Sequence, residues 1–284
     1  MKGRLVLVTG ATSGIGLETA RQVAAMGARV VLGVRDPVRG ADVARRIVQE
    51  GGESEVLPID LASFTSVRDA AARFAATHGR LDVLVNNAGI ALPRREVSID
   101  GHELTWQTNF LSHVLLTRLL LPSLCRGTRP RVVSVSSEGH RTGRIEWDNL
   151  ELERGYGGFR AYANSKLAQI LFTRELARRR PDVFVNAVHP GAIATNIWKM
   201  QSRPVRGTLA VLVGLFGRLL PPPAKGAAPV ARLASDPTLD GVTGRYFKRF
   251  AETAPSARAS SDSDAARLWT VAAEATGLDV DFPR

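Results

Sequence analysis

Thr9-Gly10-Ala11-Thr12-Ser13-Gly14-Ile15-Gly16 follows directly on a short apolar run, residues 4–9, and leads into an amphipathic stretch that starts near Leu17. Glycines at such a place let the backbone turn tightly, approach a pyrophosphate and pack the following helix close to a sheet. The spacing, Gly-x₃-Gly-x-Gly, departs from the usual dinucleotide fingerprint Gly-x-Gly-x-x-Gly. No Gly-Lys-Ser/Thr follows, so it is not a P-loop. A plain strand-to-helix connection would tolerate the same glycines. The position after the first strand of a strand-helix-strand unit favours a phosphate-binding turn formed by Gly10, Thr12, Ser13, Gly14, Ile15 and Gly16.

Outward from this turn, apolar runs alternate with amphipathic ones. Residues 29–34, 56–59, 81–86, 131–136 and 183–189 read as further strands, short and apolar as buried parallel strands are. Residues 14–26, 36–50, 63–77, 101–121 and 160–180 read as helices, with Asp36-Pro37 a cap and first helical position. The alternation predicts an α/β Rossmann fold, a doubly wound parallel sheet with helices on both faces and ligands beyond the carboxyl ends of its strands. Residues 1–284 are expected to form one domain, with a substrate-covering insertion at about 192–226 that is rich in Pro, Gly and apolar residues. Within it, the apolar window 209–220 suits a substrate cover, a membrane surface or a subunit contact.

A 284-residue chain with 44% hydrophobic residues can bury one substantial core. The single cysteine, Cys125, cannot form an internal disulfide, and the charged start Met1-Lys2-Gly3-Arg4 lacks a signal-peptide pattern, so an unprocessed cytoplasmic protein is expected. No apolar stretch reaches the roughly 20 residues of a spanning helix, which leaves peripheral membrane contact as the only membrane option. The net charge of +11 invites a nucleic-acid reading. Against it, the basic residues are mostly arginines scattered through helical segments, without aromatic interleaving or a zinc-finger pattern. The five histidines show no metal-ligand spacing, so no metal site is expected.

The second strand should discriminate between dinucleotides, because an acidic residue at its end would bond a ribose 2′-hydroxyl and a cation would accept a 2′-phosphate. Here it ends in Arg35, whose forked guanidinium suits phosphate oxygens, with Thr12 or Ser13 as added donors. Asp36 could approach a ribose instead, yet NADP(H) is favoured over NAD(H). After the third strand, Asp60 and Leu61 stand where an adenine would lie, although Asp60 could equally cap the next helix.

Tyr162-Ala163-Asn164-Ser165-Lys166 places tyrosine and lysine at i and i+4, on one face of a helix. A phenol of pKa near 10 is a poor acid/base at neutral pH, but a neighbouring ammonium stabilises tyrosinate and brings it into range. Ser136 and Ser137 end the fifth strand, where a hydroxyl can polarise a substrate carbonyl. Asn86-Asn87-Ala88-Gly89 ends the fourth, where its amides can support the cofactor loop. Asn109 lies within the 101–121 segment, either facing solvent or bonding backbone and water near the lysine.

Taken together with His189-Pro190-Gly191, these motifs resemble the ordered set of the short-chain dehydrogenase/reductase family over nearly the whole chain. Arg35-Asp36, Ser137-Glu138-Gly139-His140 and Leu167-Ala168-Gln169-Ile170-Leu171-Phe172 are most similar to retinol-dehydrogenase-like and protochlorophyllide-reductase-like members. The resemblance implies Tyr162 as proton donor/acceptor and Lys166 as the ribose-binding group that lowers its pKa. It further implies Ser137, in preference to Ser136, as the residue that orients substrate, and Asn109 as support for a water relay. Asn87, Ala88, Gly89, Pro190, Gly191 and Thr195 would contact the cofactor. The expected activity is NADP(H)-dependent interconversion of a carbonyl and an alcohol on a lipophilic small molecule, in a protein that could form homo-oligomers. Reduction of a C=C bond, non-redox use of the site, and a regulatory cofactor-binding role are the alternatives; an intact Ser137, Tyr162 and Lys166 argues against the last.

Overall fold

The computed structural model describes residues 1–191 and 221–282. Its strands are β1 (Leu5–Thr9), β2 (Arg29–Val34), β3 (Glu53–Pro58), β4 (Val83–Asn86), β5 (Arg131–Val135), β6 (Phe184–His189), β7 (Tyr246–Lys248) and β8 (Ala251–Glu252). They form one sheet in the order β3-β2-β1-β4-β5-β6-β7-β8. Only β8 runs antiparallel, against β7; every other pair is parallel. The order reverses direction between β1 and β4, and there the connections after the two strands diverge to opposite faces and open a crevice.

Alternation along β1 divides the core. Leu5 and Leu7 face a layer of α3 (Phe64–Thr77), α5 (Ser112–Cys125), α6 (Gly158–Arg179) and α8 (Asp262–Thr276). Val6 and Val8 face α1 (Gly14–Ala25), α2 (Pro37–Gln49) and α7 (Pro223–Ser235). Val6, Leu7 and Val8 are wholly buried, each stabilising the fold by about 1.5–3 kcal/mol. On the first layer, Trp269 of α8 stacks on Phe172 of α6 while the Arg118 and Arg179 guanidinium groups lie 4.8 and 4.9 Å from its ring. These contacts fasten the carboxyl-terminal helix against the helix that carries Tyr162.

Several boundaries differ from the sequence reading. β3 starts at Glu53, before its apolar residues, because an edge strand pairs through its backbone: Glu53 and Ser54 are in register with Arg29 and Val30. The expected helix 101–121 is a composite: α4 (Leu104–Trp106), a π-helical turn (Gln107–Leu111) and α5, which continues through Pro122 to Cys125. The expected insertion at 192–226 overlaps α7 at its end, since Pro222 and Pro223 supply the fixed φ of a helix start. Residues 209–220 and Thr195 lie outside the described residues. Among the described residues no helix is long and apolar enough to cross a membrane.

Candidate active site

Gly10 turns the chain after β1 in the left-handed region, φ +68°, and its N–H donates to the Gly33 carbonyl at 2.8 Å. Gly14 opens α1, also left-handed at φ +59°. At Gly16 a Cβ would overlap the Asn87 amide and the Gly10 carbonyl oxygen. Ser13, the N-cap of α1, makes no side-chain cap bond, and the first turn holds no acidic residue. The helix start therefore keeps N–H groups and partial positive charge for an anion. At the start of α2, by contrast, Asp36 accepts from the N–H groups of Val38 and Arg39 at 3.0 and 3.1 Å.

Capping ties down the Asp36 carboxylate and leaves Arg35 beside it, exposed and without a hydrogen bond or ion pair among the described residues. A free guanidinium at the carboxyl end of β2 and an uncapped helix start one strand away fit a phosphorylated dinucleotide. Asp60 does not cap α3, because Ser63 holds that position; the Asp60 carboxylate instead accepts from Ala62 N–H at 3.0 Å in a local turn. Leu61 is buried, and its carbonyl accepts from the Ser112 hydroxyl.

Thr9 joins the two sides of the crevice. Its hydroxyl accepts from the N–H groups of Asn87 and Ala88, each at 3.0 Å, and the Asn87 amide donates back to the Thr9 carbonyl at 2.8 Å. The same hydroxyl stands 3.0 Å from His113 Nε2, while His113 Nδ1 lies 3.0 Å from the Asn109 carbonyl oxygen. A carbonyl only accepts, so Nδ1 carries the proton and Nε2 receives the Thr9 hydroxyl. Complete burial lowers the His113 pKa to about 4 and keeps it neutral. Because the unfolded histidine binds a proton below about 6.5, the stability this neutral form gives is lost as pH falls from there towards 4. Denaturant titrations across that window should show stability falling by up to about 1.4 kcal/mol per pH unit for this one group, and His113→Gln should flatten the dependence.

Asn109 sits in the π-helical turn, a feature frequent at functional sites. It is buried, accepts from Ile90 N–H at 2.8 Å, and donates to the Ile90 carbonyl and the Ser165 hydroxyl at 2.9 and 3.0 Å. The loop after β4 is thereby held against α6, with Gly89 between Asn109 and Lys166: a Cβ there would lie 3.5 Å from Lys166 Nζ.

Tyr162 and Lys166 lie on one face of α6, the ammonium 5.4 Å from the phenol ring centroid. Ser137 hydrogen-bonds the Tyr162 side chain, and its Oγ also accepts from Gly139 N–H at 3.1 Å. Ser136 is placed differently: buried, with its hydroxyl donated to the Lys166 carbonyl at 2.9 Å. The expected lowering of the Tyr162 pKa is not what this arrangement gives. Burial pushes Tyr162 up, partly offset by the Ser137 bond, and the same burial lowers Lys166 to about 7. Both shifts disfavour the charged form, because burial removes the solvation a charge would need.

In the sequence Glu138 and His140 figure only within the motif 137–140 that carries the family resemblance, with no part assigned to them in fixing the Ser137 turn. His140, wholly buried, bonds the Ser137 carbonyl through Nδ1 at 2.7 Å and accepts Ser256 N–H at Nε2 at 3.1 Å. Burial would raise the Glu138 pKa, but the bonds it accepts from Lys248 and Tyr246, at 3.0 and 2.8 Å, together with Arg141, hold it down to about 2 and bind the turn to β7. The only signal was their place next to Ser137, since the partners lie more than a hundred residues away. Beyond β6, Pro190 is buried and Gly191 adopts φ +106° beside Arg249. No cluster of three or more His, Cys, Asp or Glu among the described residues could hold a metal.

The family profile described as short chain dehydrogenase matches residues 4–205. Human retinol dehydrogenase 14 is 38% identical over 297 aligned positions, covering 98% of this chain and 88% of the relative. Mouse polyprenol dehydrogenase is 39% identical over 285 positions, covering 97% and 84% respectively. The Pseudomonas aeruginosa RhlG/NADP active-site complex superimposes with a TM-score of 0.70 at 28% identity, covering 87% of this chain and 95% of that one.

Proposed function

Since the chain belongs to the short-chain dehydrogenase family, we propose that it is an NADP(H)-dependent oxidoreductase interconverting a carbonyl and an alcohol on a lipophilic small molecule. The observation that carries this reading is the convergence of Ser137, Tyr162 and Lys166 at the carboxyl edge of the sheet, across from the uncapped start of α1. Retinol and polyprenol, which name two relatives, are both long apolar isoprenoid alcohols, and this supports the substrate class. The RhlG complex with NADP supports the cofactor.

When bound, the cofactor supplies or accepts hydride. Gly10, Thr12, Ser13, Gly14, Ile15 and Gly16 would hold its pyrophosphate and Arg35 its 2′-phosphate. Asp60 and Leu61 would lie along the adenine; Asn87, Ala88, Gly89, Pro190, Gly191 and Thr195 would line the remainder. Ser137 donates to the substrate oxygen and orients it, while Tyr162 gives that oxygen its proton in reduction and takes it back in oxidation. Lys166 favours tyrosinate by its charge when the proton leaves. A cytoplasmic location belongs to the same proposal, resting on the single cysteine.

Following nicotinamide absorbance with a panel of lipophilic aldehydes and ketones tests the reading. Turnover with NADPH well above that with NADH is expected, with the alcohol as product. Arg35→Ala should raise the KM for NADPH roughly 10- to 100-fold, the size of a lost charge-assisted bond, and leave NADH use within about twofold. A wild-type preference for NADH would overturn the cofactor assignment, and failure to bind either dinucleotide would overturn the enzyme.

A further inference from the structure

Gln169 lies one turn beyond Lys166 on α6 and is only 3% exposed, so its buried amide must find hydrogen-bond partners. Its Oε1 accepts from Lys166 Nζ at 3.1 Å, and its Nε2 donates to the Asn109 carbonyl at 2.7 Å. Chemistry fixes this amide orientation: an ammonium can only donate and a carbonyl can only accept, so the flipped amide would meet like with like at both ends.

Two consequences follow for the groups it touches. The Asn109 carbonyl already receives His113 Nδ1 at 3.0 Å, so with Gln169 both of its lone pairs are taken. No acceptor position is left there for a relay water. Lys166 also donates to the Val135 carbonyl at 2.8 Å, so among the described residues two of its three N–H groups are held by protein and one is left for the crevice beside Gly89.

We propose that Gln169 is a positioning residue of the oxidoreductase: it connects Lys166 directly to the Asn109 carbonyl, fixes the ammonium with one N–H towards the crevice, and stabilises its charge. The proposal rests on the catalytic reading of Tyr162 and Lys166. The other titratable groups facing Lys166 are Tyr162, on its own helix, and His113, on α5. Burial lowers its pKa to about 7, and no carboxylate among the described residues forms an ion pair with it to oppose that. Gln169 is therefore the side chain through which its charged form can be tuned in either direction.

In carbonyl reduction at saturating NADPH, kcat should fall as pH rises and the coupled Lys166–Tyr162 pair loses a proton. Gln169→Glu, nearly isosteric, gives up the donation to the Asn109 carbonyl but places a carboxylate oxygen about 3 Å from the ammonium, and should move this falling limb to higher pH by about one unit. Gln169→Leu removes the acceptor and should move it to lower pH by a similar amount, with the KM for the carbonyl within about twofold. A residue that only filled space would alter the amplitude of both profiles without shifting them in opposite directions. Each variant is compared with Tyr162→Phe. If Tyr162→Phe is inactive and Gln169→Glu, which preserves the fold's volume, keeps the wild-type limb within about 0.3 unit, the proposal is overturned while the enzyme reading stands. If Tyr162→Phe turns over like wild type, the catalytic reading fails and the role of Gln169 with it.

Discussion

Replacing Tyr162 by phenylalanine is expected to lower kcat for carbonyl reduction by roughly 10²–10⁴-fold, the range a positioned general acid supplies. NADPH affinity and melting temperature should stay close to wild type. The side chain is 7% exposed and its ring lies 5.4 Å from the Lys166 ammonium, so phenylalanine keeps the buried area. What it removes is the O–H bonded to Ser137. Ser137 would still orient the substrate oxygen, and the KM for the carbonyl should change little, so the loss falls on the step in which that oxygen gains its proton. Burial sets the pH sign. A phenol held above its ordinary pKa is protonated at neutral pH, so reduction should be supported there and decline on the alkaline side. Oxidation needs the tyrosinate and should rise with pH over the same range. Retention of a tenth or more of wild-type kcat by the phenylalanine variant would remove Tyr162 from the proton step.

What could be read in advance was local. The turn from Gly10 to Gly16 and the Tyr162–Lys166 pair are each set by spacing within one element, and such spacing survives in a bare sequence. The sheet up to β6 was legible because apolar strands alternate with amphipathic helices. After His189 that rhythm fades: β7 has three residues and α7 contains an internal proline, Pro229. Half of the buried residues of α8 are alanines, Ala265, Ala272 and Ala273, which weakens its apolar periodicity. The π-helical turn at Asn109 was invisible for a different reason, since it is a change in hydrogen-bond register and leaves the side-chain pattern nearly intact. The roles of Thr9, His113, His140 and Gln169 were not legible, although three of them stand in the quoted motifs, because a polar residue in an apolar segment declares its purpose only through its partner. Those partners are supplied by other elements: the Thr9 hydroxyl meets a histidine 104 positions away, and the Gln169 amide a carbonyl 60 positions away.

Gly16 and Gly14 separate two reasons for glycine in the phosphate-binding turn, and substitution should tell them apart. At Gly14 nothing lies within 4 Å of a built Cβ, but φ is +59°, so Gly14→Ala meets backbone strain alone. A cost of about 1 kcal/mol is expected, with the turn still able to bind a dinucleotide. Gly16 is the opposite case: its φ lies outside the left-handed region, and any side chain meets the Asn87 amide and the Gly10 carbonyl. Neither neighbour can move freely. The Asn87 amide holds the Thr9 carbonyl at 2.8 Å, and the peptide of Gly10 is anchored by its N–H on Gly33 at 2.8 Å. Relief of the overlap must therefore push α1 away from the sheet or break the bridge between the turn after β1 and the loop after β4. Gly16→Val should cost about 3 kcal/mol or more, at the upper end of overpacking. NADPH affinity should fall more than about 100-fold, because the helix start moves off the position its N–H groups need for the pyrophosphate. Thermal melting with and without NADPH measures both quantities: Gly14→Ala should still be stabilised by the cofactor and Gly16→Val should not. Equal cofactor-induced stabilisation of the two variants would mean that close packing of α1 against the Asn87 loop is not what shapes the phosphate site.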